Sequence, residues 1–330
     1  MAALAGVSKG MVSLALRGAP GPSAETTARV RRAAADLGYR ADRAAASLAL
    51  RRTGLLGVVL AVRNPFHAEL AEELHVAAEE AGYDVVLAAV TRSRGERAAT
   101  ETLLDSRCES LVLAGPEMSA ADLAELDAQC PTVVLGRRLP AGAGGTGGRR
   151  GPDVVRVSDE EGMAAVVDHL AALGHRDVLH VTGGSGAISA ERRLGFERAA
   201  ARHGLRTHVV DARFDERGGV DAARRVLDSG WQGSAVAAAN DRIAVGFLDV
   251  LLREGVAVPQ QVSIAGYDDS SLAELGHVQL TSVSQQPAEQ ARCAVRLATE
   301  RLRGEAEGEA ADVVLEPHLV VRRTTGPARS

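Results

Sequence analysis

Leu55-Leu56-Gly57-Val58-Val59-Leu60-Ala61-Val62 is an unbroken apolar run, followed directly by Arg63-Asn64-Pro65-Phe66-His67 and a stretch with helical spacing from Phe66 to Ala81. A short strand without polar alternation is one buried on both faces, as in a parallel sheet flanked by helices. The same unit recurs downstream. Further strands are expected at Asp84 to Val90, Ser110 to Ala114, Thr132 to Leu135, Val178 to Thr182, Thr207 to Val210, Ala235 to Ala239 and Val262 to Ala265. Helices are expected at Glu160 to Leu173, Ala190 to His203, Gly219 to Asp228 and Arg242 to Arg253. This alternation, continuing to about Gln261, describes a doubly wound α/β fold with room for two sheets.

Upstream of Gly54 the pattern is different. Val12, Ala15 and Leu16 follow helical spacing behind a cap at Ser8, and Gly18 with Pro20 ends that helix. A second helix is expected from Ser23 to Leu37, with Glu25 in its first turn and Val30, Ala33, Ala34 and Leu37 as its inner stripe. Asp42 to Ala49 reads as a short helix with little to bury, marginal on its own. Nine basic residues against Glu25, Asp36 and Asp42 give the first 53 residues a net charge of +6, leaving −11 on the rest of a chain that totals −5. A small basic module therefore leads a larger acidic body, and clustered positive charge is what phosphate binding requires.

With 330 residues, the chain exceeds what one core supports, so two or three folded units are expected. No apolar run approaches the roughly 18 residues that span a bilayer, and no export signal is recognisable, so a cytoplasmic location and no membrane partner are expected. Cys108, Cys130 and Cys293 are odd in number and widely spaced, which suits buried free thiols rather than a metal or disulfide site. Pro140 to Pro152, rich in glycine and containing Arg149 and Arg150, reads as a solvated surface insertion. No Walker loop, His-Glu-x-x-His, Gly-x-Ser-x-Gly or Cys-x-x-Cys motif is present, so no enzymatic chemistry and no cofactor are expected. Gly183-Gly184-Ser185-Gly186 fits either a phosphate-holding turn or an ordinary helix entry.

The run Ala5-Gly6-Val7-Ser8-Lys9-Gly10-Met11-Val12-Ser13-Leu14-Ala15-Leu16-Arg17-Gly18 resembles the DNA-binding headpiece of the LacI/GalR family. The resemblance continues in order through Ala35-Asp36-Leu37-Gly38-Tyr39, Ala46-Ser47-Leu48-Ala49, Asn64-Pro65-Phe66, Leu173-Gly174-His175, Arg192, Gly195-Phe196, Asn240-Asp241, Gly266-Tyr267-Asp268-Asp269 and Leu280-Thr281-Ser282-Val283. It implies a helix-turn-helix headpiece and two periplasmic-binding-protein-like lobes. The expected divisions are 1–41 for the headpiece, 42–53 for a hinge, 54–157 with 286–316 for the first lobe, and 158–285 with 317–330 for the second. Ahead of Ala5 the family carries a fuller first helix, and Met1 stands where relatives have the valine of an Asp-Val-Ala run. The first helix is therefore expected to be incomplete and the natural chain to begin upstream.

With Val12, Ala15 and Leu16 inside, the residues expected at the DNA are Ser8, Lys9, Gly10, Ser13, Leu14 and Arg17. The resemblance adds Leu48 as a minor-groove wedge from the hinge. Lys9 suits a guanine edge and Leu14 a thymine methyl, while Gly10 has no side chain to offer. In the core, the resemblance places a small-molecule effector between the lobes, with Phe66, His67, Arg192, Phe214, Asn240 and Asp268 as its expected contacts. An arginine fork suits vicinal hydroxyls or carboxylates, and Asp268 would accept from hydroxyls. Phe214 would stack on the effector or serve the core. Gly136 replaces an aspartate common in relatives and is followed by Arg137 and Arg138, which tilts a sugar expectation towards acidic or phosphorylated ligands. The function implied is that of a homodimeric or larger regulator, a repressor at a palindromic operator, controlled by a carbohydrate-like effector; the alternative is a solute receptor core with no DNA role.

Overall fold

The computed structural model describes residues 1–16, 19–37, 52–140 and 150–329. Arg17, Leu48, most of the expected hinge and Arg149 lie outside the described residues. Two compact units divide at Gly54.

The first unit contains α1 (Ala2–Ala5), α2 (Lys9–Leu16) and α3 (Ala24–Asp36). Ser8 and Ser23 start α2 and α3: Ser8 Oγ accepts from the Met11 N–H at 3.2 Å, and Ser23 Oγ from the Thr26 N–H at 3.1 Å. Both satisfy helix-terminal amides that have no intrahelical partner. Ala5, Ala15, Val30 and Ala33 form a core, with Met1, Val7, Val12 and Leu16 packed around it. A core built mostly on alanine is small, and α1 adds Ala5 to it with a single helical turn. Leu37, expected inside, is exposed: it follows the last helical residue and points away from the stripe ending at Ala34.

In the second unit strands and helices alternate except where β5 follows β4 and β12 follows β11: β1 (Leu55–Ala61), α4 (Pro65–Glu80), β2 (Asp84–Val90), α5 (Glu96–Asp105), β3 (Ser110–Ala114), α6 (Ala120–Gln129), β4 (Thr132–Leu135), β5 (Asp153–Val157), α7 (Asp159–Ala172), β6 (Asp177–Thr182), α8 (Ala187–Arg202), β7 (Arg206–Asp211), α9 (Glu216–Asp228), β8 (Ala235–Ala238), α10 (Asp241–Arg253), β9 (Ser263–Ala265), α11 (Ser271–Glu274), β10 (Ser282–Ser284), α12 (Pro287–Arg303), β11 (Asp312–Leu315) and β12 (His318–Val320). A parallel sheet in the order β11-β5-β4-β3-β1-β2 and a second in the order β7-β6-β8-β9 form two lobes, and β10 pairs antiparallel with β12. Along β1, Leu56, Val58 and Leu60 meet α4 and α12, whereas Val59 packs with Leu103 of α5 and Leu123 of α6. Covering both faces is why that run carries no polar alternation.

Edge strands depart from the two-faced apolar expectation. Leu87 of β2 is exposed, and β7 is open along most of its length, because each lies at the rim of its sheet. The glycine-rich segment is also less free than expected at its downstream end. Gly151 and Pro152 are buried, and Arg150 donates to Asp153 Oδ1 and to the Glu307 carbonyl, both at 2.9 Å. All three cysteines are buried free thiols, and burial pushes Cys108 up to about 11 and Cys130 up to about 12.

Candidate functional site

The carboxyl ends of the strands in both sheets face a common cleft within the second unit, the position where open α/β sheets gather ligands. On the second lobe its centre is Arg192. In α8, Ser189, Arg192, Phe196 and Ala199 recur at helical spacing and are all buried, so the arginine rides on a core-facing stripe. Its Nε donates to Asp159 Oδ1 at 2.7 Å and its Nη1 to the Ala239 carbonyl at 2.6 Å; Asp268 Oδ1 lies 3.4 Å from Nη1. The guanidinium carbon sits 3.6 Å from the Tyr267 ring centroid and 5.8 Å from that of Phe214. Burial pulls the Arg192 pKa down, but Asp159 and Asp268 outweigh it and the net direction is up, so the cation is fixed.

Asp268 is presented by an unusual backbone. Its φ of 110° turns the chain after β9, and its N–H donates to the Val283 carbonyl at 2.9 Å. Gln285 Nε2 donates to Asp268 Oδ1 at 2.7 Å, and Gln290 Nε2 holds the Gln285 carbonyl at 2.7 Å. Asp241 lies nearby at the start of α10, enclosed by the Ser270 amide and the Ser270 and Ser282 hydroxyls. Burial raises the pKa of Asp159, Asp241 and Asp268; Arg192 opposes the rise at Asp159 and Asp268, and the charge of Asp268 adds to it at Asp241.

On the first lobe, Phe66 and His67 sit in the first turn of α4, behind a cap in which Asn64 Oδ1 accepts from the Phe66 N–H at 3.2 Å. His67 Nδ1 accepts from the Ala61 N–H at 3.1 Å, and burial with nearby Arg242 lowers its pKa to about 4. The imidazole is therefore neutral at ordinary pH. Phe66, His67, Arg192, Phe214 and Asp268 all line the cleft, together with Gly136, Ile188, Gln285 and Gln290. Asn240 is not among the lining residues: its Oδ1 caps α10 by accepting from the Ile243 N–H at 2.9 Å. About 40 Å³ is free inside the cleft, and an adjoining void of about 460 Å³ shares His67, Ala114 and Gly115 with it.

Asp159 and Gln285 had no sequence signal of their own, and Tyr267 stood only within the Gly266-Tyr267-Asp268-Asp269 resemblance. Asp159, Tyr267 and Gln285 meet Arg192 or Asp268 only through folding, although Ser158 ahead of α7 and Pro287 at the start of α12 mark the local turns. Arg137 turns away from the cleft and donates to the Pro116 carbonyl at 2.8 Å and the Met118 carbonyl at 2.6 Å. The Gly183–Gly184 amides are already directed at side chains, Gly183 to Ser189 Oγ at 3.0 Å and Gly184 to Thr182 Oγ1 at 3.4 Å. A Cβ at Gly183 would overlap the Phe214 ring, so the ring lies directly against that backbone.

In the first unit, Lys9, Gly10 and Ser13 are exposed on α2, Leu14 is half-buried, and Ser8 is engaged as the cap. Arg29, Arg31 and Arg32 of α3 are exposed as well.

A periplasmic binding protein-like domain model matches residues 167–325. The HTH-type transcriptional regulator AscG of Escherichia coli (strain K12) is 32% identical over 84% of this chain and 84% of its own. The chain belongs to the LacI/GalR family of transcriptional regulators. The LacI/GalR regulator CelR of Thermobifida fusca is 31% identical over 98% of this chain and 96% of its own, and a CelR–cellobiose complex superposes with a TM-score of 0.72. A LacI transcriptional regulator from Rhodococcus species, 41% identical, covers 83% of this chain and 98% of its own with a TM-score of 0.76. As in that family, the architecture joins a helix-turn-helix headpiece to two periplasmic-binding-protein-like lobes. Among the described residues no helix is long and apolar enough to cross a membrane.

Proposed function

We propose that this LacI/GalR regulator is a cytoplasmic homodimeric repressor whose hold on a palindromic operator is set by an uncharged saccharide bound between its two lobes. The lobes would divide as 54–157 with 286–316 and 158–285 with 317–330. In the headpiece, Lys9, Ser13 and Leu14 would face base edges, with Ser8, Gly10 and Arg17 beside them, Arg29, Arg31 and Arg32 available to phosphates, and Leu48 acting at the operator centre.

The observation that carries the effector reading is the charge balance around Arg192: Asp159 and Asp268 share one guanidinium, and Asp241 is buried close by. An anion entering this space would find its one lining cation already paired with two carboxyl groups, whereas hydroxyls can donate to Asp268 and accept from the arginine fork. Arg137 and Arg138, which favoured an acidic ligand in the sequence, do not line the cleft, and Arg137 Nη1 is directed to the Pro116 and Met118 carbonyls. Phe214 and Phe66 supply apolar walls for a ring. A sugar is larger than the 40 Å³ now free, so its binding would part the lobes or extend into the adjoining void, as a disaccharide such as the cellobiose of CelR could. Because the ligand must favour one lobe arrangement over another to matter, that parting is the link to the DNA-binding end.

Calorimetry against neutral mono- and disaccharides and their phosphates tests this reading. Neutral sugars are expected to bind at least tenfold more tightly than their phosphorylated forms; the reverse order, or binding of nucleobases alone, rejects it. Salt-sensitive binding to a duplex in the same preparation separates the regulator from a solute receptor with no DNA role.

A further inference from the structure

The second lobe has another cavity at the opposite end of its sheet, where β6, β8 and β9 begin. It measures about 410 Å³, within the range of small-molecule sites. Its floor is apolar, from core residues such as Val226, Leu251 and Val262. Its wall is Trp231, the only tryptophan of the chain. Among the described residues, the charged side chains lining it are Arg176, Arg206, Arg329 and a single acid, Asp177.

The indole is held in position. A Cβ at Gly233 would overlap the Trp231 ring, so the ring lies directly against that backbone. Trp231 Nε1 donates to Asp177 Oδ1 at 3.2 Å, and His208 meets the indole edge-on with ring centroids 6.5 Å apart. Asp177 also faces Arg206 Nε at 3.5 Å and His208 Nε2 at 3.4 Å, so the one carboxylate is already shared among three groups. Arg176 Nη1 reaches the Ala171 and His175 carbonyls, and among the described residues it is paired with no carboxylate. The cavity thus combines a fixed aromatic wall, an apolar floor and an excess of guanidinium charge.

We infer that this cavity is a second ligand site, separate from the effector cleft, that takes a small amphipathic organic anion with an aromatic body and a carboxylate, sulfonate or phosphate head. The ring lies against Trp231 and the apolar floor, and the head meets the arginines, where charge-assisted bonds are strongest. Six residues of β6 separate it from the cleft, about 20 Å at the rise of a strand, so no single small ligand touches both. The two sites differ in charge preference, the cleft suiting a neutral ligand and this cavity an anion.

Trp231 is its own reporter. Titrating the full chain with 8-anilino-1-naphthalenesulfonate should quench Trp231 emission saturably with one equivalent bound, and the uncharged analogue N-phenyl-1-naphthylamine should bind at least tenfold more weakly. Arg206→Glu, a substitution at a side chain 80% exposed and safe for folding, should weaken the sulfonate at least tenfold while leaving any sugar bound in the cleft unaffected. Equal affinity for the charged and uncharged probes, or an unchanged affinity in the variant, would overturn the assignment. Trp231 emission that depends on protein concentration without probe would also overturn it, by identifying the surface as a contact between copies of the chain.

Discussion

The two ends of the second sheet are built on the same device and differ in their charge balance. At the carboxyl end of β6, Phe214 lies on Gly183 beside a cleft whose charged lining is Arg192 and Asp268, with Asp159 paired behind the arginine; at the amino end, Trp231 lies on Gly233 beside Arg176, Arg206, Arg329 and Asp177. The ends also differ in burial. Arg192 has 2% of its side chain exposed, whereas Arg206 has 80%. An ion pair withdrawn from water must be complete because each uncompensated charge is costly, while an exposed pair is screened. The cleft end is therefore rigid and intolerant, and the arginine end is permissive.

The largest expected effect breaks that contrast directly. Arg192→Met keeps the length of the side chain but leaves Asp159 and Asp268 buried with no cation, and should cost about 3–5 kcal/mol of unfolding free energy and abolish effector binding. Arg206→Met should leave the denaturation midpoint nearly unchanged, since its link to Asp177 is long and solvated. Chemical denaturation of the two variants side by side checks both. Equal losses would mean that burial does not distinguish the ends.

The contrast also shows what could be read from the sequence. β1 and α4 were legible because an apolar strand covered on both faces and an Asn64-capped helix leave strong local signals. By contrast, α12 falls beyond the recognised alternation: its buried face rests on Ala291, Ala294 and Ala298, with Val295 and Leu297 as its only larger buried aliphatic residues, a weak signal despite the helical spacing. β5 was missed because Asp153 and Arg156 interrupt its apolar pattern; in the structure Asp153 Oδ1 accepts from Arg150 and the Ala311 amide, and Arg156 pairs with Asp312. For the site, the resemblance supplied Arg192 and Asp268. Asp159, 33 residues before Arg192, and Gln285, 17 after Asp268, join them only when helices α7 and α8 and the chain after β10 pack together. No periodicity encodes that convergence. The cavity at Trp231 had no local pattern at all, since its arginines come from two strand entries and the last residues of the chain.

A second, smaller effect comes from the middle of β6, between the two ends. His180 is fully buried and stacks on Phe196 with ring centroids 4.8 Å apart; its Nδ1 lies 2.8 Å from the Ala237 carbonyl, and burial lowers its pKa to about 4. A neutral buried histidine favours the folded state above the unfolded pKa near 6.5, and that contribution is lost as pH falls towards 4, by about 2 kcal/mol between pH 7 and pH 5. The raised carboxylates at the cleft act in the opposite sense, because their contribution is present at low pH and is lost as pH rises through their folded pKa values. His180→Gln should keep a hydrogen-bond donor while removing the histidine contribution, so the variant should lose less stability than the parent between pH 7 and pH 5. Parallel pH profiles would assign the acid sensitivity elsewhere, with His67 in the cleft the next group to replace.

The smallest expected effect separates the two glycines. Gly183→Ala must displace the Phe214 ring, because the added methyl group would occupy its place, and the ring has cleft space into which to swing. The fold should survive, but the aromatic wall offered to a saccharide would be lost, weakening sugar binding about tenfold, or about 1.4 kcal/mol. Gly233→Ala forces the same displacement on Trp231 at the other end, where its Nε1 bond to Asp177 would be strained or broken. Sugar affinity should then stay at the parent value while tryptophan emission shifts to the red as the indole becomes more exposed. Calorimetry and fluorescence on the pair read the two ends independently. If Gly233→Ala weakened the sugar as much as Gly183→Ala, the ends of β6 would be coupled through the strand, and charge preference at one end would have to be explained together with occupancy at the other.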